Sequence, residues 1–320
     1  MKRSVFVLVA ALGFAVALPA AGQGFPNKPI KMIVPLAAAG TGDTLARAVG
    51  EEMSRELGQP VVIENKPGAG GLVGTEMVAN APADGYTLLA VSPSHVINPA
   101  LYAKKTYDPL KSFEPITLIA NTHQVIVAHP SVPAKDLKEL IAYAKANPGK
   151  LNYGSAGTGS ATHLNMELFR SMAGIDIVHV PYKGSTQARQ DVLAGQVQLA
   201  MDGLLPVQAL IKDGRLKAIG ITSSKRAQTN PEIPIIGEVV SGYASDTWYG
   251  ILVPAGTPKD VIAKLHAAAV KALNAPAVKD RLNKLGAETV GNSPEDFRKL
   301  LETEQRLWAK VVKDSGAKVE

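Results

Sequence analysis

The sequence predicts an α/β protein of two lobes, each a mainly parallel sheet flanked by helices. Three observations carry that expectation. A chain of 320 residues exceeds what one hydrophobic core comfortably organises, so two lobes are expected. Aromatics are sparse at 5% while Ala, Val, Leu and Gly dominate, which suits closely packed strands and helices better than an all-β sandwich. One pattern also recurs along the chain: a short apolar strand, a loop of small residues, then an amphipathic helix.

The first residues are a separate matter. Met1-Lys2-Arg3 precedes an apolar run from Val5 to Leu18 and then Pro19-Ala20-Ala21-Gly22, the three-part pattern of a secretory signal peptide over residues 1–22. The run falls short of the ~20 residues a spanning helix needs, so export with cleavage is expected, leaving a chain that starts near Gln23. The absence of cysteine excludes disulfides, thiolate metal sites and a lipidated cysteine, and suits an oxidising compartment. The formal net charge of +6 falls to +4 without Lys2 and Arg3. No basic block accompanies it, so nucleic acid is not an expected partner.

Pro29 to Pro35 reads as the first strand, followed by Leu36-Ala37-Ala38-Ala39-Gly40-Thr41-Gly42-Asp43. Asp43 is placed to cap the next helix, whose apolar positions are Leu45, Val49, Met53 and Leu57 and whose end is Gly58. Val61 to Asn65 is a second strand, and a short helix starts at about Leu72. Pro82 to Gly85 is a turn and Tyr86 to Val91 a third strand, with Ser92 at its C-terminal edge, where open α/β sheets collect ligands. Asn98 to Tyr102 and Tyr107 to Pro109 read as irregular connections. Ile116 to Asn121 and Val125 to His129 are consecutive strands, and Lys135 to Ala146 is helical.

Leu151 to Tyr153 then feeds the loop Gly154-Ser155-Ala156-Gly157-Thr158-Gly159-Ser160. A helix begins at about Ser160 and ends near Gly174. Small residues let backbone approach a ligand closely, and a helix start offers free N–H groups to an anion. Further strands are expected at Ile175 to Val180, Val197 to Met201, Leu216 to Thr222 and Thr247 to Val253, with a helix from Ser185 to Ala194. Thr257-Pro258 and Ser293-Pro294 read as capped starts of C-terminal helices.

Several chemistries fail on spacing. Gly68, Gly70, Gly71 and Gly74 lack the third glycine of a dinucleotide fingerprint, and no Gly-Lys-Ser/Thr follows Gly154. The six histidines show no helical metal-ligand spacing, so neither metal nor cofactor is expected. A serine hydrolase using Ser155 or Ser160 with His163 lacks the nucleophile elbow. Asp202, at a strand end, is placed to bind a ligand amine or to cap the following helix. Tyr182 and Lys183 are placed to contact a carboxylate or to form a solvated turn, and Trp248 and Tyr249 read as core or lobe-junction residues.

Taken in order, several motifs resemble the Bug-type, TctC-like extracytoplasmic solute-binding receptors of tripartite tricarboxylate transporters. They are Phe25 to Ile30, Ile33 to Asp43, Glu64 to Gly71, Pro82 to Leu88, Asn98 to Tyr102, Ser155 to Phe169, Val180 to Gly184 and Trp248 to Pro258. The resemblance implies a two-lobed periplasmic binding protein of type II-like fold, with crossing strands joining lobe 1 (residues 23–123 plus 247–320) to lobe 2 (124–246). It implies a monomeric, non-enzymatic receptor for a small organic carboxylate (a di- or tricarboxylate, an aromatic acid or an amino acid), working with membrane subunits of such a transporter. A receptor that signals to a membrane sensor would share the binding chemistry. The matching ligand positions are Ala38, Ala39, Thr41, Asp43, Ser155, Thr158, Ser160 and His163, with Ser92, Tyr182 and Asp202 as further candidates. The first loop departs from the pattern, with Leu36 where Phe is common and Ala39 where a glycine is common.

Overall fold

The computed structural model describes residues 24–36, 38, 40–102, 106–223, 226 and 230–315. The expected signal peptide lies outside the described residues, as does Gln23. In a first sheet, β1 (Ile30–Val34) pairs in parallel with β2 (Val61–Asn65) and β3 (Thr87–Val91). Helices α1 (Thr41–Leu57) and α2 (Leu72–Ala79) make the crossovers, and α3 (Ser94–Leu101) leaves β3. β4 (Phe113–Thr122) is separated by His123 alone from β5 (Gln124–Ala128), which belongs to a second sheet.

The second sheet is built from α4 (Leu137–Ala146), β6 (Asn152–Ser155), α5 (Ala161–Ala173), β7 (Val178–Pro181), α6 (Ser185–Leu193), β8 (Leu199–Gly203), α7 (Leu204–Lys212) and β9 (Lys217–Ile221). β10 (Thr247–Pro254) then returns to lie between β3 and β4. α8 (Lys259–Asn274), α9 (Pro276–Lys284), β11 (Ala287–Thr289) and α10 (Pro294–Ser315) follow. The strand orders are β11-β4-β10-β3-β1-β2 and β7-β6-β8-β5-β9.

The direction of the strands records the route of the chain. β10 is antiparallel to both β3 and β4, and β11 to β4, so β1 to β4 point one way. In the second sheet β5 is antiparallel to β8 and β9, while β6, β7 and β8 are parallel. Each sheet is therefore mixed in pairing but mainly parallel in direction. Of the strands that enter a lobe from the other, β5 runs against the rest of its sheet, while β10 runs against β1 to β4 and with β11.

Helices cover both sheets. Met32, Val49, Leu88, Ile251 and Leu265 join α1 and α8 to one face of the first sheet, and Val125, Val192, Val207 and Ile221 join α6 and α7 to one face of the second. A third apolar layer, including Leu89, Leu118, Ile126, Phe169 and Trp308, runs beneath both sheets. Within it α10 carries Glu304, whose carboxylate accepts from the indole N–H groups of Trp248 (3.3 Å) and Trp308 (2.5 Å). Burial raises the pKa of Glu304 against the pull of those two bonds.

Some local expectations give way to tertiary contacts. Asn98 to Leu101 is not irregular: it completes α3, with Pro99 inside the helix. A proline there removes the N–H that would reach the carbonyl of His95, and the Tyr107 hydroxyl donates to that oxygen instead at 2.8 Å. α8 starts one residue after Pro258 without a side-chain cap, because the Thr257 hydroxyl turns to the Pro254 carbonyl. At α10 the Ser293 cap forms as expected, accepting from the Asp296 N–H at 3.1 Å. The helix expected after Asp202 is α7, while the separate helix α9 and the short β11 have no counterpart in the sequence reading.

Candidate functional site

Two loops face the cleft between the sheets. The β6–α5 loop is held from behind by its own side chains. Ser160 is the N-cap of α5 and accepts from the His163 N–H at 3.2 Å. The Thr162 hydroxyl accepts from the Ala156 N–H (2.9 Å), and His163 Nδ1 from the Gly159 N–H (3.1 Å). Gly157 and Gly159 take φ of 119° and 78°, values a side chain would strain. Among the described residues these contacts leave the N–H groups of Thr158, Ala161 and Thr162 without a partner at the mouth of the helix, where the dipole favours an anion.

Behind the loop, Ser155 Oγ lies 2.7 Å from His179 Nε2. The His179 ring stacks on His163 with centroids 4.0 Å apart, and Tyr153 stacks on its other side at 4.9 Å. Tyr153 donates to Glu167, which also accepts from Arg170 at 2.7 Å. Burial, then the neighbouring His179, push the His163 pKa down to about 4, and burial lowers that of His179 as well. Burial alone would raise Glu167, but the bonds from Arg170 and Tyr153 outweigh it and hold the carboxylate ionised.

The β1–α1 loop is built differently. Asp43 does not cap α1. The helix begins at Thr41, Gly40 stands at the N-cap position, and no side chain caps it. Asp43 falls in the first turn, 3% exposed, where it accepts from Asn65 Nδ2 (2.9 Å) and Arg47 Nε (3.0 Å). A carboxylate in the first turn complements the helix dipole, and through Asn65 it ties α1 to β2.

Between the loops the cleft has two compartments that share Thr247 and Tyr249. The pairing of β10 with β4 slips between Tyr249 and Gly250, an irregularity of the kind that re-aims a side chain. Burial raises the pKa of the Tyr249 hydroxyl against the opposing influence of the nearby Thr122 and Thr41 side chains, and Gly42 of α1 sits where an added Cβ would lie 3.2 Å from its ring. The first compartment, about 430 Å³, is lined by Leu36, Gly70, Ser92 to Ser94, Ile97, Asn98, Leu101, Tyr102 and Thr158 to Ala161. The second, about 310 Å³, is lined by Thr41, Thr122, His123, Gln124, Thr162, Ser185, Arg189, Asp202 to Pro206, Leu285 and Gly286.

Thr41, Ser92, Thr158, Ser160 and Asp202 therefore line the cleft. Ala38 is exposed in its turn, and Ala39 lies outside the described residues. Asp43, Ser155 and His163 stand behind the loops as braces. The Tyr182 hydroxyl points to Asp191 Oδ2 at 2.7 Å, so it does not line either compartment. Asp202 does not cap α7, whose N-cap is Gly203. Its carboxylate takes Arg189 Nε (2.7 Å) and the Gly203 N–H (2.8 Å). Sequence reasoning missed Arg189, His123, Asn98 and Tyr102 as cleft residues, and read Tyr249 as a core or lobe-junction residue. The one local sign was the crowding of helix starts at strand C-termini.

A two-lobed α/β frame with helix starts converging on an interlobe cleft defines a solute-binding protein of the periplasmic type. The chain belongs to the tripartite tricarboxylate transporter receptor family, whose model, described as "Tripartite tricarboxylate transporter family receptor", matches residues 45–317. Among solved structures, the periplasmic binding protein BugD is 36% identical, with a TM-score of 0.74 over 92% of this chain and 100% of its own. A Rhodopseudomonas palustris protein holding adipate is 34% identical, with a TM-score of 0.76 and coverage of 92% and 100%. MatC of the same organism, holding malate, is 34% identical, with a TM-score of 0.73 and coverage of 90% and 100%. Among the described residues no helix is long and apolar enough to cross a membrane.

Proposed function

We propose that this chain, exported by residues 1–22, captures a small organic carboxylate between its lobes and delivers it to membrane subunits of a tripartite tricarboxylate-type transporter. In this reading the lobes divide at His123 and Asp246. The observation that carries it is the convergence of the starts of α1, α3, α5, α6 and α7 on one interlobe cleft. Each helix start contributes roughly 0.3–1 kcal/mol to a bound anion, more when water is excluded by closure. The adipate and malate seen in relatives support the same ligand class.

Binding without turnover is favoured over hydrolysis. Ser155 is 1% exposed and its hydroxyl also accepts from the Gly157 N–H at 3.1 Å, so it braces its own loop and does not meet the cleft. A nucleophile needs an approach path to its substrate as well as a base. Calorimetric titration of the mature chain with mono-, di- and tricarboxylates, aromatic acids and amino acids tests the reading. Saturable binding of a carboxylate is expected, with the ligand recovered unchanged. Correctly folded protein that binds none of them would refute it.

A further inference from the structure

The two compartments differ in charge. None of the residues lining the first carries a charged side chain. The second holds a guanidinium, Arg189, whose side chain is 17% exposed beside an Asp202 side chain 3% exposed. The Asp202 oxygens are occupied: Oδ2 by Arg189 Nε at 2.7 Å, and Oδ1 by the Gly203 N–H at 2.8 Å and Arg189 Nη2 at 3.3 Å. Arg189 Nη1 has no hydrogen-bond partner among the described residues, so both of its N–H groups remain available. An arginine offers only donors and does not deprotonate. The pair thus presents the Nη1 donors to the cavity, with the plane of the guanidinium fixed by Asp202.

We propose that this second compartment is a subsite for a second carboxylate, so that the cleft selects open-chain dicarboxylates. One carboxylate meets the start of α5 in the first compartment, the chain passes Tyr249, and the other is gripped by Arg189. The inference rests on the receptor reading above and names its ligand class. Four further features favour an acceptor group there. Thr41, Thr162, Ser185 and Leu204 belong to the first turns of α1, α5, α6 and α7, so four helix dipoles point their positive ends at the same space. The rim adds Leu205, Pro206 and Leu285, and apolar walls strengthen a charge-assisted fork. Asp202 acts here as a positioning residue, fixing the plane of the guanidinium.

The test compares pairs of acids that differ only in the second carboxylate, from succinate with butyrate up to suberate with octanoate, titrated into the mature chain. The best dicarboxylate should bind on the order of 100-fold more tightly than its monocarboxylate, the scale of a charge-assisted hydrogen bond. In the double variant Arg189→Gln with Asp202→Asn, which leaves no orphaned carboxylate, that ratio should fall to within about threefold. Arg189→Lys keeps the charge without the fork and should give an intermediate ratio. Monocarboxylates binding as tightly as their partners would overturn the subsite while leaving the receptor reading intact, as would a wild-type ratio in either variant. Failure of every acid to bind would overturn both.

Discussion

The two loops that face each other across the cleft solve the same problem in opposite ways. The β6–α5 loop is preset: Ser160, Thr162 and His163 engage its N–H groups from inside the lobe, and a stack of Tyr153, His179 and His163 backs it. The β1–α1 loop has no side-chain cap, and its brace, Asp43, acts one turn into the helix. One half is fixed by the side chains behind it, and the other has no side-chain cap among the described residues. A preset surface avoids an ordering cost on binding, while an open one adapts to ligands of different shape. The difference is testable because the two loops should respond unequally to the same kind of damage.

The largest effect belongs to the support behind the rigid loop. Arg170→Ala leaves the Glu167 carboxylate, 6% exposed, with Tyr153 as its remaining partner. Breaking a buried pair on one side costs about 3–5 kcal/mol, and the 32% exposure of the Arg170 side chain sets the loss here toward the lower end. Urea unfolding should show that loss, and Glu167→Gln added to Arg170→Ala should recover part of it by removing the orphaned charge. The matching damage to the open loop, Arg47→Ala beside Asp43, should cost less, because Asn65 still holds the carboxylate and Arg47 is 44% exposed. Equal losses would erase the contrast.

Acid should separate the rigid loop from the lobe junction. His163 is neutral in the folded state with its pKa down to about 4, below the unfolded value near 6.5. Its contribution is full above pH 6.5 and is lost as pH falls from there toward 4. Glu167, also lowered, adds loss in the same direction at lower pH. His123 at the junction behaves oppositely. Burial would lower its pKa, but Asp246 at 2.9 Å and Glu288 at 3.5 Å raise it. That contribution is full below about 6.5 and is lost as pH rises through the raised value. The melting temperature should therefore fall on both sides of neutrality. His163→Gln should flatten the acid limb alone and His123→Gln the alkaline limb alone; a variant that flattens the other limb would sink the assignment.

How much of this could be read from the chain depends on how far apart the interacting residues lie. The Ser160 cap, the left-handed Gly58 and Gly174 that end α1 and α5, and the Ser293 cap are local devices, and local residues announce them. The two-lobed frame is legible because the strand–loop–helix period repeats. Pro99 misleads because its cost is offset by Tyr107, eight residues on and invisible to a local rule. Arg189 and Asp202 are joined across a helix and a strand, so neither residue type nor spacing announces their pair. Asp43, Ser155 and Tyr182 are polar residues near the cleft loops, yet Asp43 and Ser155 are buried and the Tyr182 hydroxyl is turned to Asp191, outcomes set by packing.

The smallest effect sharpens the comparison most directly, because it applies one substitution to both loops. Thr162 is 7% exposed and its hydroxyl accepts from the Ala156 N–H while meeting Ser160 Oγ at 3.1 Å. Thr162→Val strips a buried N–H of its acceptor, which costs about 1–3 kcal/mol, and frees the loop to move. Thr44 sits in the first turn of α1, half-buried, and its hydroxyl donates back to the Gly40 carbonyl at 3.0 Å. That carbonyl already accepts from the Thr44 N–H at 2.9 Å, so Thr44→Val strands nothing and should cost under about 0.5 kcal/mol. Hydrogen exchange should report the same asymmetry, with Ala156 and Gly159 amides losing protection in Thr162→Val and amides of α1 unchanged in Thr44→Val. Comparable losses from the two variants would mean that the β6–α5 loop is held by its backbone alone, and that the rigid half of the clamp owes nothing to the side chains behind it.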